Sequence, residues 1–308
     1  MSAIQTAKPS LEIQDPAARA SSAGAADVFE RAPAREEQLA GGRRTAGRSL
    51  ASAWRLAALP LLFFFAVPLV VLLFQTSAVQ IFTSLREPSV YLALAVSLKT
   101  TLISLSMILI FGTPLAFLLG RYSFRSKPIV DSLIDLPTVL PPSVAGLALL
   151  MTFGRNGPLS ALLPQAHLDL AFTQAAVVMA QVFIAAPYYI RAAALGFAGI
   201  ETEYIQAAQL DGAGRWAVLR YLVLPLAQPA LISGVLLSWA RALGEFGATI
   251  LFAGNFLGRT QTMPLAIYLG FESSDLQGAL TLSVILVLVS FVSLALVKTV
   301  TGKSAASR

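Results

Sequence analysis

The 308-residue sequence contains no cysteine and a single histidine, His167. Disulfides and thiolate nucleophiles are therefore excluded, and a zinc site, which needs three or four Cys, His or carboxylate ligands, has almost no side chains to use. The sequence also lacks a Gly-x-x-x-x-Gly-Lys-Ser/Thr loop and a His-Glu-x-x-His motif. These absences predict a chain with no catalytic residues, no metal site and no bound cofactor, which does not hydrolyse ATP itself.

Charged residues are scarce as well. Only 12% of the residues are charged, whereas 56% are hydrophobic and the mean hydropathy is +0.73. A soluble core of this length could not hide so much apolar surface, so the composition predicts an integral membrane protein surrounded by lipid. The basic residues, which give a pI near 9.8, are scattered at the ends of apolar runs. This distribution is typical of positive-inside topology and argues against a nucleic-acid partner.

Six apolar runs are long enough to cross about 30 Å of hydrocarbon as helices. They are Leu56–Gln75, Ser89–Gly120, Leu133–Gly154, Leu170–Ile190, Tyr221–Ala253 and Leu276–Val297. If both termini are cytoplasmic, the inner segments hold most Lys and Arg, and the outer loops hold only Arg86, Arg155 and Arg259. The predicted fold class is therefore an all-α integral membrane protein with six transmembrane helices.

The runs divide the chain into four predicted segments. Residues 1–54 have almost no large apolar side chains to offset the entropy of ordering, so they are predicted to be a disordered cytoplasmic tail. Residues 55–89 would form the first transmembrane helix and an external loop. Residues 90–298 would form a core of five transmembrane helices, and residues 299–308 a second cytoplasmic tail.

A short polar segment, residues 199–225, separates the fourth and fifth runs. Thr202–Asp211 is predicted to form about three helical turns, with Thr202 as the N-cap and Gly212 as the stop. A face formed by Tyr204, Ala207, Ala208 and Asp211 would be low enough for a partner to approach closely. The alternative is an ordinary surface helix. The candidate docking residues are Glu203, Tyr204, Gln206, Ala207, Ala208, Asp211, Gly212 and Gly214.

Two ionisable side chains, Arg241 and Glu245, lie inside the fifth run. A charge at that depth is costly, so the two residues, which are four apart, are expected to pair or to face water. In the third run, three prolines within 137–142 are expected to prevent a regular helix. The candidates for a pathway or gate are Arg241, Gly244, Glu245, Thr249, Pro141 and Pro142. The alternatives are a purely structural ion pair and a kink that serves packing.

The spacing in the polar segment resembles a known motif. Ala207-Ala208, three residues, Gly212, nine residues, Leu222, one residue and Leu224-Pro225 resemble the cytoplasmic EAA loop of the permease subunits of binding-protein-dependent ABC importers. Gln206 stands at the position of the motif's glutamate, which removes a charge. In that family the loop rests in a cleft of a cytoplasmic ATPase, so the resemblance implies docking here.

The segments 240–255 and 258–268 resemble the permeases of molybdate importers, within a group that also handles sulfate and tungstate, and the likeness extends over 97–297. It implies a type I ABC importer permease fold in the bacterial cytoplasmic (inner) membrane. The implied partners are a second copy of the chain in a homodimer, a cytoplasmic ABC ATPase dimer that holds ATP and Mg, and an external or periplasmic oxyanion-binding protein. The implied cargo is molybdate, with sulfate or tungstate as the alternative. An ion-coupled secondary transporter and an intramembrane enzyme are rivals from other classes.

Overall fold

The computed structural model describes residues 56–155, 157–158 and 170–306, without the side chains of residues 294 and 296–306. The predicted tail 1–54 and His167 lie outside the described residues. Within these ranges all the regular elements are helices, as predicted. The chain divides into two compact units, Met1–Val70 and Val71–Arg308. The described part of the first unit is a charge-free helical stretch that begins at Leu56.

The helices are numbered in chain order. They are α1 (Leu56–Phe74), α2 (Ala78–Ser84), α3 (Pro88–Arg121), α4 (Lys127–Val139), α5 (Pro142–Phe153), α6 (Gln174–Ala198), α7 (Thr202–Leu210), α8 (Arg215–Val218), α9 (Leu224–Leu243), α10 (Gly247–Phe252), α11 (Met263–Glu272) and α12 (Leu276–Ala306). A π-helical turn, Leu219–Val223, joins α8 to α9. The helix α2 lies in the segment predicted as an external loop, and α12 continues past the predicted end of the sixth run at Val297.

Five helices in the described ranges are long and apolar enough to cross a membrane. They are α1, α3, α6, the combined helix Arg215–Leu243, and α12 over Leu276–Ser293. The pair α4 and α5 is together long and apolar enough as well, although the two helices are bent by 115°. Counted as one broken span, this pair brings the number to the six that the sequence predicts.

The break between α4 and α5 is shorter than the prolines suggested. Pro137 lies inside α4, so the prediction of an irregular stretch that begins there was wrong. Leu140 and Pro141 are extended, with ψ of 140° and 135°, and Pro142 opens α5. A residue before a proline is driven out of the helical region by the proline ring, and both residues precede one. The consecutive prolines therefore set the position of the break.

A second break interrupts the fifth run, which the sequence predicted as a single helix to Ala253. The helix α9 ends at Leu243 with Gly244 as its C-cap, and α10 begins at Gly247. The Ala248 N–H at the start of α10 donates to Glu245 Oε1 at 2.8 Å. The carboxylate thus satisfies a backbone donor that the interruption leaves without a helical partner.

The helices α3, α6 and α9 pack against one another through small residues. A methyl group added at Gly120 would lie 2.5 Å from the carbonyl oxygen of Ala194, and one added at Gly234 would lie 3.0 Å from the Tyr189 ring. Small residues let helix backbones approach closely, which increases dispersion contacts where lipid offers no hydrophobic driving force. The core between these helices includes Ile108, Ala116, Tyr189, Phe197, Val223 and Ala227.

Polar side chains also join the helices in the interior. Ser104 Oγ on α3 donates to Gln181 Oε1 on α6 at 2.8 Å, and Gln181 Nε2 donates to Thr101 Oγ1 at 3.3 Å. The backbone N–H of Met263, at the start of α11, donates to Ser97 Oγ at 2.7 Å. These four side chains are buried. Because lipid offers no alternative partners, such bonds help to fix how the helices fit together.

Candidate functional site

The polar segment folds into a short helix with a well-formed end. Contrary to the prediction, Thr202 is the first residue of α7, and Glu201 is the N-cap without a side-chain bond. Gly212 ends the helix as predicted, with φ +87°, in the left-handed region that favours glycine. The N–H groups of Gly212 and Ala213 donate to the carbonyl oxygens of Gln209 and Ala208 at 3.1 and 2.9 Å. This paired closure satisfies carbonyls that would otherwise lack partners.

The two alanines of the segment face different ways. Ala207 is exposed, whereas Ala208 and Ile205 pack against the core between α3, α6 and α9. The predicted four-residue face is therefore divided, since Ala208 serves to seat the helix on the protein. The exposed residues of α7 and its C-terminal turn are Thr202, Glu203, Tyr204, Gln206, Ala207, Gln209, Leu210, Asp211 and Gly212.

The exit from the segment is a wide helical turn. Gly214 is the N-cap of α8, and the Leu224 N–H donates back to the Leu219 carbonyl across the π-helical turn. Pro225 follows at the start of α9. A proline ring clashes with the carbonyl four residues earlier in a regular α-helix, and the wider turn relieves that clash. The Leu-Pro closure noted in the sequence thus coincides with a change of helix type.

The start of the segment is held by the end of α3. Arg121, the last residue of α3, donates through Nη1 to the carbonyl oxygen of Ile200 at 2.6 Å. Beside this contact, α3, α7 and α8 enclose a cavity of about 730 Å³ that both Arg121 and Arg215 line. The start of the segment is therefore attached to α3, and the cavity lies between the segment and the end of that helix.

A further ion-pair network, which the sequence did not predict, joins α4 to α6. Arg191 reaches Asp135 with two parallel contacts, Nε to Oδ1 at 2.7 Å and Nη2 to Oδ2 at 2.8 Å, and its Nη1 reaches Asp131. Such a bidentate arrangement fixes geometry as well as charge. Its signal in the sequence was a pair of aspartates four residues apart and a single arginine in an otherwise uncharged apolar run. The network ties the first half of the broken span to the helix that leads into α7.

The two helix breaks lie side by side. A methyl group on Gly247, the first residue of α10, would lie 2.8 Å from Pro142 Cβ, at the start of α5. One turn further along, a methyl group on Gly146 would lie 2.6 Å from the Ala248 carbonyl oxygen. The backbones of α5 and α10 are thus in direct contact, and the interrupted parts of two spans share one place in the fold.

Arg241 and Glu245 pair beside this junction, as the sequence predicted. Arg241 Nη1 lies 2.8 Å from Glu245 Oε2. The contact is ionic, because Oε2 accepts no hydrogen bond within the described part of the chain. The Glu245 side chain is 0% exposed, whereas that of Arg241 is 27% exposed. One partner is therefore sealed in the protein, and the other reaches its surface.

The remaining candidates divide into exposed and buried residues. Pro141, Pro142 and Gly244 are exposed, so the breaks themselves are accessible. Thr249 is fully buried in α10, and its hydroxyl has no hydrogen-bond partner among the described residues. No three His, Asp or Glu side chains in the described ranges are grouped so that they could hold a metal ion.

Sequence comparisons place this architecture among transport proteins. Residues 112–303 match the family described as the binding-protein-dependent transport system inner membrane component. The molybdenum transport system permease protein ModB of Mycobacterium tuberculosis is 40% identical over 229 residues, which cover 74% of this chain and 86% of the relative. The sulfate transport system permease protein CysT of Salmonella typhimurium is 34% identical over 235 residues, which cover 76% of this chain and 85% of the relative.

The fold is similar to that of a chain in the crystal structure of a bacterial ABC transporter involved in the import of the acidic polysaccharide alginate. The TM-score is 0.63, and the match covers 82% of this chain and 95% of that chain. The two sequences are 17% identical, so the likeness concerns the fold alone.

Proposed function

Because this chain belongs to the family of inner-membrane components of binding-protein-dependent transport systems, we propose that it is the permease subunit of an ATP-driven importer of molybdate. As a member of that family, it is a multi-pass inner-membrane protein with the type I ABC importer permease fold, and it is a non-catalytic transport subunit. The observation that carries the choice of cargo is the 40% identity to a molybdenum permease over most of that protein's length. Sulfate is the second candidate, supported by the 34% identity to a sulfate permease, and tungstate is the third.

The working assembly that we propose is a twofold homodimer of this chain with two ATPase subunits at the α7 end and an oxyanion-binding protein at the opposite end. ATP and Mg would be held by the ATPases. The positive-inside charge distribution supports cytoplasmic placement of both termini, of the tails 1–54 and 299–308, and of the coupling loop 199–225. The intervening segments 55–89 and 90–298 would be the first span with its external loop and the permease core.

In this assembly α7 is the coupling element. Its exposed surface, with Tyr204 and Ala207 near the centre and Asp211 at the end, is proposed to rest in a cleft of the ATPase. Because Gln206 is uncharged, the centre of this surface would dock on the ATPase through complementary shape and not through an ion pair. Glu203, Gly212 and Gly214 complete the docking surface, and Ala208 holds it against the spans. ATP binding would draw two such loops together and rotate the spans from inward-open to outward-open.

The junction of the two helix breaks is the proposed pathway or gate. Broken helices at membrane depth are tolerated where they are buried in protein or line a cavity, and binding sites in transporters often lie at such interruptions. Arg241 and Glu245 supply the charges of the gate, and Gly244, Pro141 and Pro142 form the accessible breaks. Thr249 contributes a buried hydroxyl close to them in sequence.

The test of the function is uptake by proteoliposomes that contain this subunit, its cognate ATPase and its binding protein, with and without internal ATP. We expect ATP-dependent uptake of molybdate that sulfate does not compete. Sulfate preference would retain the importer but change its cargo. Uptake that needs no ATP would contradict the proposal and favour an ion-coupled transporter.

The test of the coupling role is Ala207→Asp, compared with Ala207→Ser. Aspartate adds bulk and a charge at the centre of the exposed surface, whereas serine remains small. We expect the aspartate variant to insert into the membrane normally but to lose ATP-dependent uptake, and the serine variant to retain most of it. Equal uptake by the two variants would remove α7 from the coupling pathway.

A further inference from the structure

The two side chains of the Arg241–Glu245 ion pair differ in their exposure, and a purely structural ion pair does not require such a difference. The carboxylate is 0% exposed, whereas 27% of the arginine side chain is exposed. Within the described residues, Glu245 is the only polar partner of the Arg241 guanidinium. A guanidinium carries five N–H donors in a planar fork, so most of them have no partner among the described residues of this chain.

Within the described residues the carboxylate has a second contact beside the ion pair, whereas the arginine has none. Glu245 Oε1 accepts the Ala248 N–H at 2.8 Å, so the carboxylate belongs to the start of α10. The α10 backbone is in turn packed against α5, where Gly146 meets Ala248 without space for a methyl group. Arg241 has no such anchor, and it lies in the last turn of α9, just before the exposed break at Gly244.

Stability alone does not explain the pair. A buried ion pair contributes little net stability, because desolvation of both charges offsets their attraction. An arginine with exposed surface and several donors not bound by the protein can, however, form a bidentate contact with a second anion. Transport requires that such a contact also release its ion.

We propose that Arg241 is the residue that contacts the oxyanion during its passage, and that Glu245 is a built-in competitor that keeps this contact weak. This inference rests on the proposed function, since it assumes that an oxyanion passes here. The ligand class is a tetrahedral dianion, whose oxygens match the guanidinium fork. When the dianion enters, the guanidinium turns toward it while the carboxylate stays on the Ala248 N–H. When the dianion leaves, Glu245 recovers the guanidinium.

The net charge of the pair predicts whether replacement of Glu245 raises or lowers the affinity for a dianion. With Glu245 present, the pair is neutral and a dianion gains little by approaching it. With the carboxylate replaced by an amide, a single positive charge remains in surroundings of low polarity, where its attraction for a dianion is much stronger than in water. Loss of Glu245 should therefore increase affinity and slow release, which is the opposite of what loss of a purely structural contact would do.

The experiment measures binding of molybdate to the purified permease–ATPase complex in the absence of the binding protein, together with uptake in the full system. For Glu245→Gln we expect the dissociation constant to fall about tenfold, which corresponds to about 1.4 kcal/mol, and the maximal rate of uptake to fall as well. For Arg241→Gln we expect binding to be lost. The absence of tighter binding in an assembled Glu245→Gln complex would overturn the proposal.

The charge-neutral double variant, Arg241→Gln with Glu245→Gln, separates transport from folding. If the pair only stabilises the fold, removal of both charges should preserve uptake. The proposal expects an assembled complex that still hydrolyses ATP but imports no molybdate, so wild-type uptake by this variant would overturn it. If the Glu245→Gln complex does not assemble, the Arg241→Lys variant tests the proposal instead. Lysine keeps the positive charge but lacks the planar guanidinium, so this variant should bind molybdate more weakly than the wild type, and unchanged binding would contradict the proposal. Failure of the wild type to import any oxyanion would instead refute the proposed function itself.

Discussion

The contact between α5 and α10 makes a quantitative prediction about Gly146. A methyl group at this position would lie 2.8 Å from the Ala248 Cα, about 0.7 Å closer than the shortest favourable separation of two carbon atoms, about 3.5 Å. The neighbours are backbone atoms, which cannot rotate away, so we expect the upper end of the usual overpacking cost, about 3 kcal/mol. The better helix propensity of alanine returns about 1 kcal/mol. Gly146→Ala should therefore lose about 2 kcal/mol of stability.

The matched control is Gly244→Ala, at the neighbouring break. Among the described residues its methyl group would meet only the Ala240 carbonyl oxygen, at 3.5 Å, and its φ of −87° suits alanine. We expect this variant to be neutral or more stable by about 0.4–1 kcal/mol. In thermal unfolding of the purified complex, Gly146→Ala should melt about 3 °C below the wild type, because a chain of 308 residues has an unfolding entropy of about 650 cal/mol/K. If Gly146→Ala melts at or above the wild-type temperature, the two backbones are not in the contact described.

Three further substitutions test other parts of the structure. Gln181→Leu removes one of three acceptors of the buried Ser104 hydroxyl, the others being the carbonyl oxygens of Thr100 and Val178, and should cost about 0.6 kcal/mol, with Ser104→Ala adding less than its separate cost in the double variant; full additivity would contradict a direct bond. Arg191→Gln breaks a network that is about one-third exposed, so we expect a loss of about 1 kcal/mol and faster proteolysis in α4, and unchanged proteolysis would contradict this role. Gly212→Ala places a side chain at φ +87° and should cost about 1–2 kcal/mol of stability and reduce ATP-dependent uptake, whereas Gly214→Ala, with its φ of −68°, should cost no stability. Equal thermal stability of these two glycine variants would show that the left-handed turn is not needed.

The sequence predicted the features whose signals are local. Gly212 ends α7 because a glycine after a short helical pattern favours the left-handed turn that the structure contains. Arg241 and Glu245 pair because charges four residues apart in an apolar run have few better partners. The spans were recognisable from length and hydropathy, which do not depend on knowing the neighbours of a helix.

The features that the sequence did not predict are contacts between distant residues. Arg191 finds its aspartates 56 and 60 residues away, and Gly146 meets Ala248 across a long stretch of chain. In a soluble protein the polar residues of a helix mark its exposed face, and the apolar residues mark the face that is buried. In a membrane, faces toward lipid and faces toward protein are both apolar, so the pattern of residues carries little contrast between them. In the polar helix α7 the two alanines have identical side chains, so the residue type gave no sign that Ala208, unlike Ala207, packs against the core.

The π-helical turn Leu219–Val223 has a consequence for how the chain tolerates change. Its hydrogen bonds skip one residue more than those of an α-helix, so it contains one residue beyond the regular winding. Deletion of one residue here would restore regular winding and leave the direction of α7 about the axis of α9 nearly unchanged, because the π-helical turn already absorbs that residue. In a regular turn of α9 the same deletion would rotate everything before it by about 100°, so the π-helical turn should accept a single-residue deletion more readily than the helix that follows it.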